Sequence, residues 1–123
     1  MLSHISLGVT DMERSIAFYD ATMATLGYSR VWTSVTGVGY GPPGEGDKLA
    51  LFPQSTPVTA PGPGFHLAFE AKTPVAVDRF HEAAVEHGGK DLGQSGLRPH
   101  YGKSYYAAFV ADPDGHKLEA VCQ

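Results

Sequence analysis

The fold is decided by a short stretch that occurs twice in related form, HISLGV at residues 4–9 and HLAFEA at residues 66–71. In both copies large apolar residues alternate with polar or small ones, which is the period of a strand with one buried face. The histidine of each copy, His4 or His66, lies on the face opposite the large apolar residues. The same positions therefore predict a strand and place an imidazole on its open face.

A helix is predicted directly after each of these strands. Thr10 can act as the N-cap of the first helix, Glu13 completes a capping box, and Gly27 is placed to end it. Thr73 can cap the second helix, and Gly88-Gly89 is placed to end it. Apolar residues recur along both segments with helical spacing, so each helix is expected to pack one stripe against a sheet.

Each helix is followed by three short segments with strand character, separated by turns rich in Gly and Pro. The predicted strands cover residues 28–33, 35–40 and 48–52 in the first half, and 90–92, 105–111 and 116–122 in the second. Asp112-Pro113-Asp114-Gly115 is a tight-turn sequence, which makes the last two strands a hairpin.

The two halves match position by position. A shift of 62 residues places His4 on His66, Phe18 on Phe80, and Gly27 on Gly89 without a gap. Such duplication predicts an α+β fold of two βαβββ modules, each a half-open barrel, or cup, with its helix on the outer face. The predicted boundaries are 1–123 for a single domain, 1–53 for the first module, 54–64 for a connector, and 65–123 for the second module.

Composition limits the class of partner. The chain carries nine Lys and Arg against thirteen Asp and Glu, a net charge of −4, and its basic residues are scattered singly. A nucleic-acid partner is therefore not expected. No apolar run approaches the length of a membrane span and the first residues lack a signal-peptide pattern, so a cytoplasmic protein without a membrane partner is expected. The single cysteine, Cys122, is in keeping with a reducing compartment.

Three side chains form the main candidate site. His4 and His66 are expected to point into the cups, and Glu119 shares the open face of the last strand if Leu118 packs on a helix. Two imidazoles and one carboxylate are the ligand set of an open divalent metal site, suited to Mn²⁺, Fe²⁺, Ni²⁺ or Zn²⁺. The alternative is that all three are structural polar groups held by hydrogen bonds.

The loop over residues 97–106 holds further candidates beside the strand that leads to Glu119. His100 and Tyr101 are candidate acids or bases, and either Arg98 or Lys103 can hold an anionic group. The candidate substrate-binding residues are Arg98, Lys103, Tyr40 and Tyr105. The alternative is a solvated loop with aromatic anchors, and for Tyr40 a tyrosine packed on the rim of the first cup.

Two segments resemble the signatures of a known family. Residues 4–9 followed by Asp11, Ser15 and Phe18-Tyr19 look like the opening signature of the vicinal oxygen chelate superfamily. DPDGHKLE at residues 112–119 looks like its closing signature. The superfamily includes glyoxalase I, fosfomycin-inactivating enzymes, extradiol dioxygenases and bleomycin-binding resistance proteins.

The resemblance implies a ligand set and an assembly. His4, His66 and Glu119 match the family's metal ligands, whereas Ala50 stands where glyoxalase I enzymes carry a fourth, which argues against glyoxalase I activity. Many members of this size form homodimers in which one chain supplies the first-strand ligand and its partner the others. His4 is then expected to meet His66 and Glu119 across such an interface.

Three functions remain open at this point. The first is a metal-dependent enzyme with lyase, isomerase, transferase or dioxygenase chemistry on a small oxygenated metabolite or antibiotic. The second is a metal-free protein that binds a drug or metabolite, as the bleomycin resistance proteins do. The third is a subunit or regulatory domain with a vestigial site.

Overall fold

The computed structural model describes all 123 residues. Its elements, in chain order, are β1 (Ile5–Val9), α1 (Met12–Thr25), β2 (Ser29–Thr33), β3 (Val38–Gly41), β4 (Leu49–Pro53), β5 (Leu67–Glu70), α2 (Pro74–Glu86), β6 (Lys90–Leu97), β7 (Tyr106–Ala111) and β8 (Lys117–Cys122). This order confirms the α+β fold of two βαβββ modules. Neither helix is long and apolar enough to cross a membrane.

Each module folds into one four-stranded sheet, with strand order β1-β4-β3-β2 in the first and β5-β8-β7-β6 in the second. The first and last strands of a module pair in parallel, and the other pairs are antiparallel. Ser6 pairs with Ala50 in the first sheet, and Ala68 pairs with Glu119 in the second. Because Ser6 and Ala68 are equivalent in the repeat, Ala50 occupies the position of Glu119.

The helices pack against each other between the two sheets, so the modules share one apolar core. Phe18 and Phe80, equivalent in the repeat, are both fully buried there. The left-handed glycine that ends α2 is Gly88, with φ 96°, and it corresponds to Gly27 with φ 84°. Gly89 has another role, because a Cβ there would lie 2.7 Å from the Phe18 ring. The predicted match of Gly27 with Gly89 is therefore wrong by one residue.

The helix starts differ from each other. Thr73 caps α2 as predicted, accepting a hydrogen bond from the Ala76 N–H at 3.1 Å. The cap of α1 is Asp11, whose carboxylate accepts from the Arg14 N–H at 3.2 Å. The Thr10 hydroxyl instead accepts from the Val58 N–H at 2.9 Å. The Thr10 hydroxyl, which was expected to cap α1, is thus bound by the segment around Val58, which is distant in sequence.

The strand predicted at residues 90–92 is the start of a longer one, since β6 continues to Leu97. Its pairing with β7 shifts register around Gly93 and Gly96. These irregularities interrupt the alternation by which a strand is recognised in sequence.

The turn between β7 and β8 ties the second module to the first. Asp112 is buried and accepts hydrogen bonds from the Tyr19 hydroxyl at 2.6 Å and from His116 Nδ1 at 2.8 Å. Asp114 accepts from the Thr10 N–H at 3.1 Å and from the Arg14 guanidinium at 3.3 Å. His116 is therefore part of a buried network between modules.

This network shifts the pKa values of two of its members. The hydrogen bond to Asp112 raises the pKa of His116 above its usual value of 6.5, although burial opposes it. Burial alone would raise the pKa of Asp112, but the hydrogen bonds from His116 and Tyr19 outweigh it and leave the pKa below the usual 3.8. A charged imidazolium–carboxylate pair is thus favoured in the folded chain.

The substitution His116→Gln is expected to remove a pH-dependent part of the stability. The stability that comes from the raised pKa of His116 is fully present below about pH 6.5. It is lost as the pH rises through the pKa that His116 has in the folded chain. The contribution of Asp112 is present above about pH 3.8 and is lost as the pH falls through its lowered value. Urea unfolding should show a larger loss of unfolding free energy in His116→Gln at about pH 5.5 than at about pH 9.

His87→Gln is the matched control, because His87 is exposed and its side chain hydrogen-bonds to the Ala83 carbonyl of its own helix. Its effect on the free energy of unfolding should be small at both pH values. An equal loss in His116→Gln at the two pH values would contradict the charged pair.

Candidate functional site

The structure brings His66 and Glu119 together. His66 precedes β5 and Glu119 lies in β8, and the parallel pairing of these strands sets their side chains next to each other. The distance from His66 Nε2 to Glu119 Oε1 is 3.1 Å. Unlike the His116–Asp112 contact, this contact lacks hydrogen-bond alignment, so the imidazole does not aim directly at the carboxylate. The His66 side chain is 44% exposed and that of Glu119 only 2%.

The second oxygen of this carboxylate is also engaged. The Tyr105 hydroxyl donates a hydrogen bond to Glu119 Oε2. Burial, together with this bond, raises the pKa of Tyr105 to about 12, so the phenol remains a donor at neutral pH. Tyr105, predicted as substrate-binding, therefore holds Glu119 in one orientation, with Oε1 toward His66.

An open cavity of about 710 Å³ lies over this pair. It is lined by His66, Leu92, Gly93, Arg98, His100, Tyr101, Tyr105, Phe109, Lys117 and Glu119. All of these residues belong to the second module or to its hairpin loop. The predicted loop candidates Arg98, His100 and Tyr101 line the cavity, whereas Lys103 does not.

Aromatic rings form a series along one side of the cavity. The ring centroid of His100 lies 4.2 Å from that of Tyr101, which lies 5.3 Å from that of Tyr105. Neither His100 nor Tyr101 hydrogen-bonds to Glu119, and both are exposed at the mouth. They are therefore placed to meet a bound molecule rather than to support the carboxylate.

Lys117 and Phe109 also line the cavity, although neither was among the predicted site residues. Phe109 pairs with Glu119 across the β7–β8 ladder, and Lys117 lies two residues before Glu119 in the same strand. The sequence pattern that could have predicted Lys117 is the alternation of β8, which puts Lys117 on the same face as Glu119. The pattern that could have predicted Phe109 is the register of the β7–β8 hairpin, which places it opposite Glu119.

Tyr40 is not brought to the cavity, which corrects its prediction as a substrate-binding residue. It is 1% exposed and faces α1, where its hydroxyl donates to Asp20 Oδ1 at 2.9 Å. Burial, together with this bond, holds the pKa of Tyr40 well above its usual range. Alternation explains the error: neighbouring Gly39 faces the open side of β3, so Tyr40 faces the core.

His4 lies apart from the other two predicted ligands. It is exposed just before β1, in a shallow groove shared with Leu49 and Phe69. Within the single chain no three His, Cys, Asp or Glu side chains gather closely enough to hold one metal ion. The fold of one chain therefore supplies two of the three predicted ligands at one place.

The equivalent place in the first module is filled by an aromatic side chain. Ala50 pairs with Gly39, and the indole of Trp32 lies over Gly39, where a Cβ would be 2.1 Å from its Nε1. In the second module Glu119 pairs with Phe109, which in turn pairs with Gly93. The first module thus has its large residue on β2 and a glycine on β3, whereas the second has a glycine on β6 and its large residue on β7. At the equivalent position of the last strand, only the second module has a carboxylate.

The family model of the Glyoxalase/Bleomycin resistance protein/Dioxygenase superfamily matches residues 1–120. The chain belongs to this superfamily, which is the vicinal oxygen chelate superfamily. Its membership covers enzymes as well as resistance proteins, so the chain is a metal-dependent enzyme or a small-molecule-binding protein of this kind. No curated protein sequence matches the chain.

Solved structures of this superfamily have the same fold. A glyoxalase/bleomycin resistance protein from Albidiferax ferrireducens T118 is 32% identical, with a TM-score of 0.86 over 100% of this chain and 98% of its own. A glyoxalase-related enzyme from Fulvimarina pelagi is 25% identical, with a TM-score of 0.76 over 100% and 88%. A glyoxalase I variant from Zea mays is 28% identical, with a TM-score of 0.72, and aligns over 97% of this chain and 44% of its own.

The substitution Gly39→Ala tests how the first cup is filled. The added methyl group would overlap the indole of Trp32, so the indole must leave the sheet surface and meet more water. Trp32 is the only tryptophan, and its fluorescence emission should shift to longer wavelength. Gly46→Ala is the control, since a Cβ there meets nothing within 4 Å. Identical emission from Gly39→Ala and wild type would contradict this packing.

Proposed function

We propose that the chain is a metal-dependent enzyme that acts on a small oxygenated metabolite or antibiotic. His66 and Glu119 of one chain, with His4 of a second copy, would hold one divalent ion. The observation that carries the proposal is the contact between His66 and Glu119, two residues of different strands that meet at the base of an open cavity.

The donor atoms suit a metal ion. Two ligands bound at about 2.1 Å and at right angles to each other are about 3 Å apart, and His66 Nε2 and Glu119 Oε1 are 3.1 Å apart. The absence of hydrogen-bond alignment between them also fits two donors aimed at a common third point. A carboxylate that is 1% exposed without a cationic partner is costly, and a cation would offset that cost.

A divalent ion held by His66, Glu119 and a second copy's His4 would supply Lewis-acid chemistry toward a substrate oxygen. The chain's own residues do the rest. Tyr105 holds Oε2 of Glu119, so that one oxygen is presented in a defined direction. His100 and Tyr101 lie at the mouth, within the cavity lining, and are the candidates to move a proton.

Metal content is the first test. Protein purified without a histidine tag should carry about one Mn²⁺, Fe²⁺, Ni²⁺ or Zn²⁺ ion per chain by elemental analysis. Glu119→Gln should weaken metal affinity by more than the roughly 10- to 100-fold typical of losing an outer-shell partner. Glu70→Gln is the control, because Glu70 is an exposed residue of β5. A chain that binds none of the four ions would contradict the proposal.

Mixing two variants tests whether His4 comes from a second copy. His4→Ala and Glu119→Gln each spoil both sites of such a homodimer. In the mixed dimer, however, one site combines the intact His4 of one chain with the intact His66 and Glu119 of the other. Co-refolded variants should therefore recover tight metal binding at about half the sites of the mixed dimers. No recovery, with stable mixed dimers present, would contradict the shared site.

One observation favours a metal-free binding protein as the second candidate. Both oxygens of Glu119 already have a polar neighbour within the chain: Tyr105 donates to Oε2, and His66 Nε2 lies 3.1 Å from Oε1. In that case the cavity binds its ligand without an ion. Equal ligand affinity before and after treatment with a chelator would favour this function over the enzyme.

A further inference from the structure

Two cationic side chains in the cavity have no carboxylate partner. Arg98 and Lys117 line the cavity, and neither takes part in any ion pair of the chain. The single acidic residue in the lining is Glu119, which is engaged by Tyr105 and His66. The cavity is therefore cationic in a chain whose net charge is −4.

Arg98 is held in place by the strand that precedes it. Its guanidinium donates to the Gly96 carbonyl at 2.9 Å and to the Gln94 carbonyl at 2.7 Å. A Cβ at Gly93 or Gly96 would lie 3.4 or 3.3 Å from a guanidinium nitrogen, so both glycines leave the room that this group occupies. A guanidinium has five N–H donors, so others remain for a ligand.

Both cations lie beside the same aromatic ring. The guanidinium carbon of Arg98 is 5.6 Å from the centroid of Phe109, and Lys117 Nζ is 5.1 Å from it. The His66 ring is 6.1 Å from the same centroid. Phe109 thus contributes an apolar surface within reach of both cations and of the His66–Glu119 pair.

We infer that the molecule bound in this cavity is a small organic oxyanion. Its carboxylate or phosphonate group is held by Arg98 and Lys117, and its apolar part lies on Phe109. Arg98 supplies a rigid, oriented donor, and Lys117 supplies a flexible point charge that determines specificity for the anion. The inference rests on the proposed function only in that the substrate occupies this same cavity.

The test compares probes of similar shape and different charge. Phenylacetate and phenylphosphonate are the anionic probes, and 2-phenylethanol is the neutral one. Their dissociation constants are measured by NMR titration of the full-length chain, as purified and again with a chelator. The variant is Lys117→Gln, whose exposed side chain leaves the fold intact. The control is Lys103→Gln, an exposed cation in the loop between β6 and β7 that does not line the cavity.

The wild type should bind one or both anionic probes about tenfold or more tightly than 2-phenylethanol, because a charge-assisted hydrogen bond is worth at least that factor. Lys117→Gln should remove most of this preference, and Lys103→Gln should leave it unchanged. The tighter of the two anions identifies the oxyanion. Equal affinity for charged and neutral probes, no binding of either anion, or equal losses in the two variants would overturn the inference.

The chelator separates this inference from the proposed function. A preference for anions that persists after chelation supports the cationic subsite whether or not the chain uses a metal ion. A chain that binds its metal but shows no preference would overturn the inference and leave the metal-dependent function standing. A chain that binds no metal but prefers anions would support the inference and contradict the metal-dependent function.

Discussion

In each module the first strand pairs in parallel with the last, and the register of that pairing decides what can meet on the open face. In the second module Ala68 lies opposite Glu119, which brings His66 beside the glutamate and leaves the cavity above them. A slip of one residue would turn Glu119 into the apolar core and Leu118 out into the cavity. The candidate site therefore depends on the register of β5 and β8 before it depends on any loop.

The two duplicated modules have the same strand order but different side chains on the open faces of their sheets. In the first, Ala50 and Gly39 make a smooth surface on which Trp32 packs. In the second, the same positions carry Glu119 and Phe109, and the space of the tryptophan is taken by the guanidinium of Arg98. One module thus keeps a polar open face while the other fills it, and the helices join both into one core.

Burying the Glu119 carboxylate costs free energy, and the groups around it offset part of that cost. The Tyr105 hydroxyl donates a hydrogen bond to the carboxylate, and the His66 imidazole lies beside it. The same principle operates at Asp112, which is buried between Tyr19 and His116. One buried carboxylate faces a cavity and the other joins two modules, and the difference is the space available next to each.

The sequence by itself determined the modules, the helices and the faces of the main strands, because these follow from local periodicity and capping. Alternation on β5 and β8 was enough to put His66 and Glu119 on one open side. Only the tertiary structure decided which partners those side chains receive. Burial of Tyr40 and His116 and the cap at Asp11 depend on segments that are distant along the chain. Periodicity tells which way a side chain points, whereas its contacts depend on what the rest of the fold leaves there.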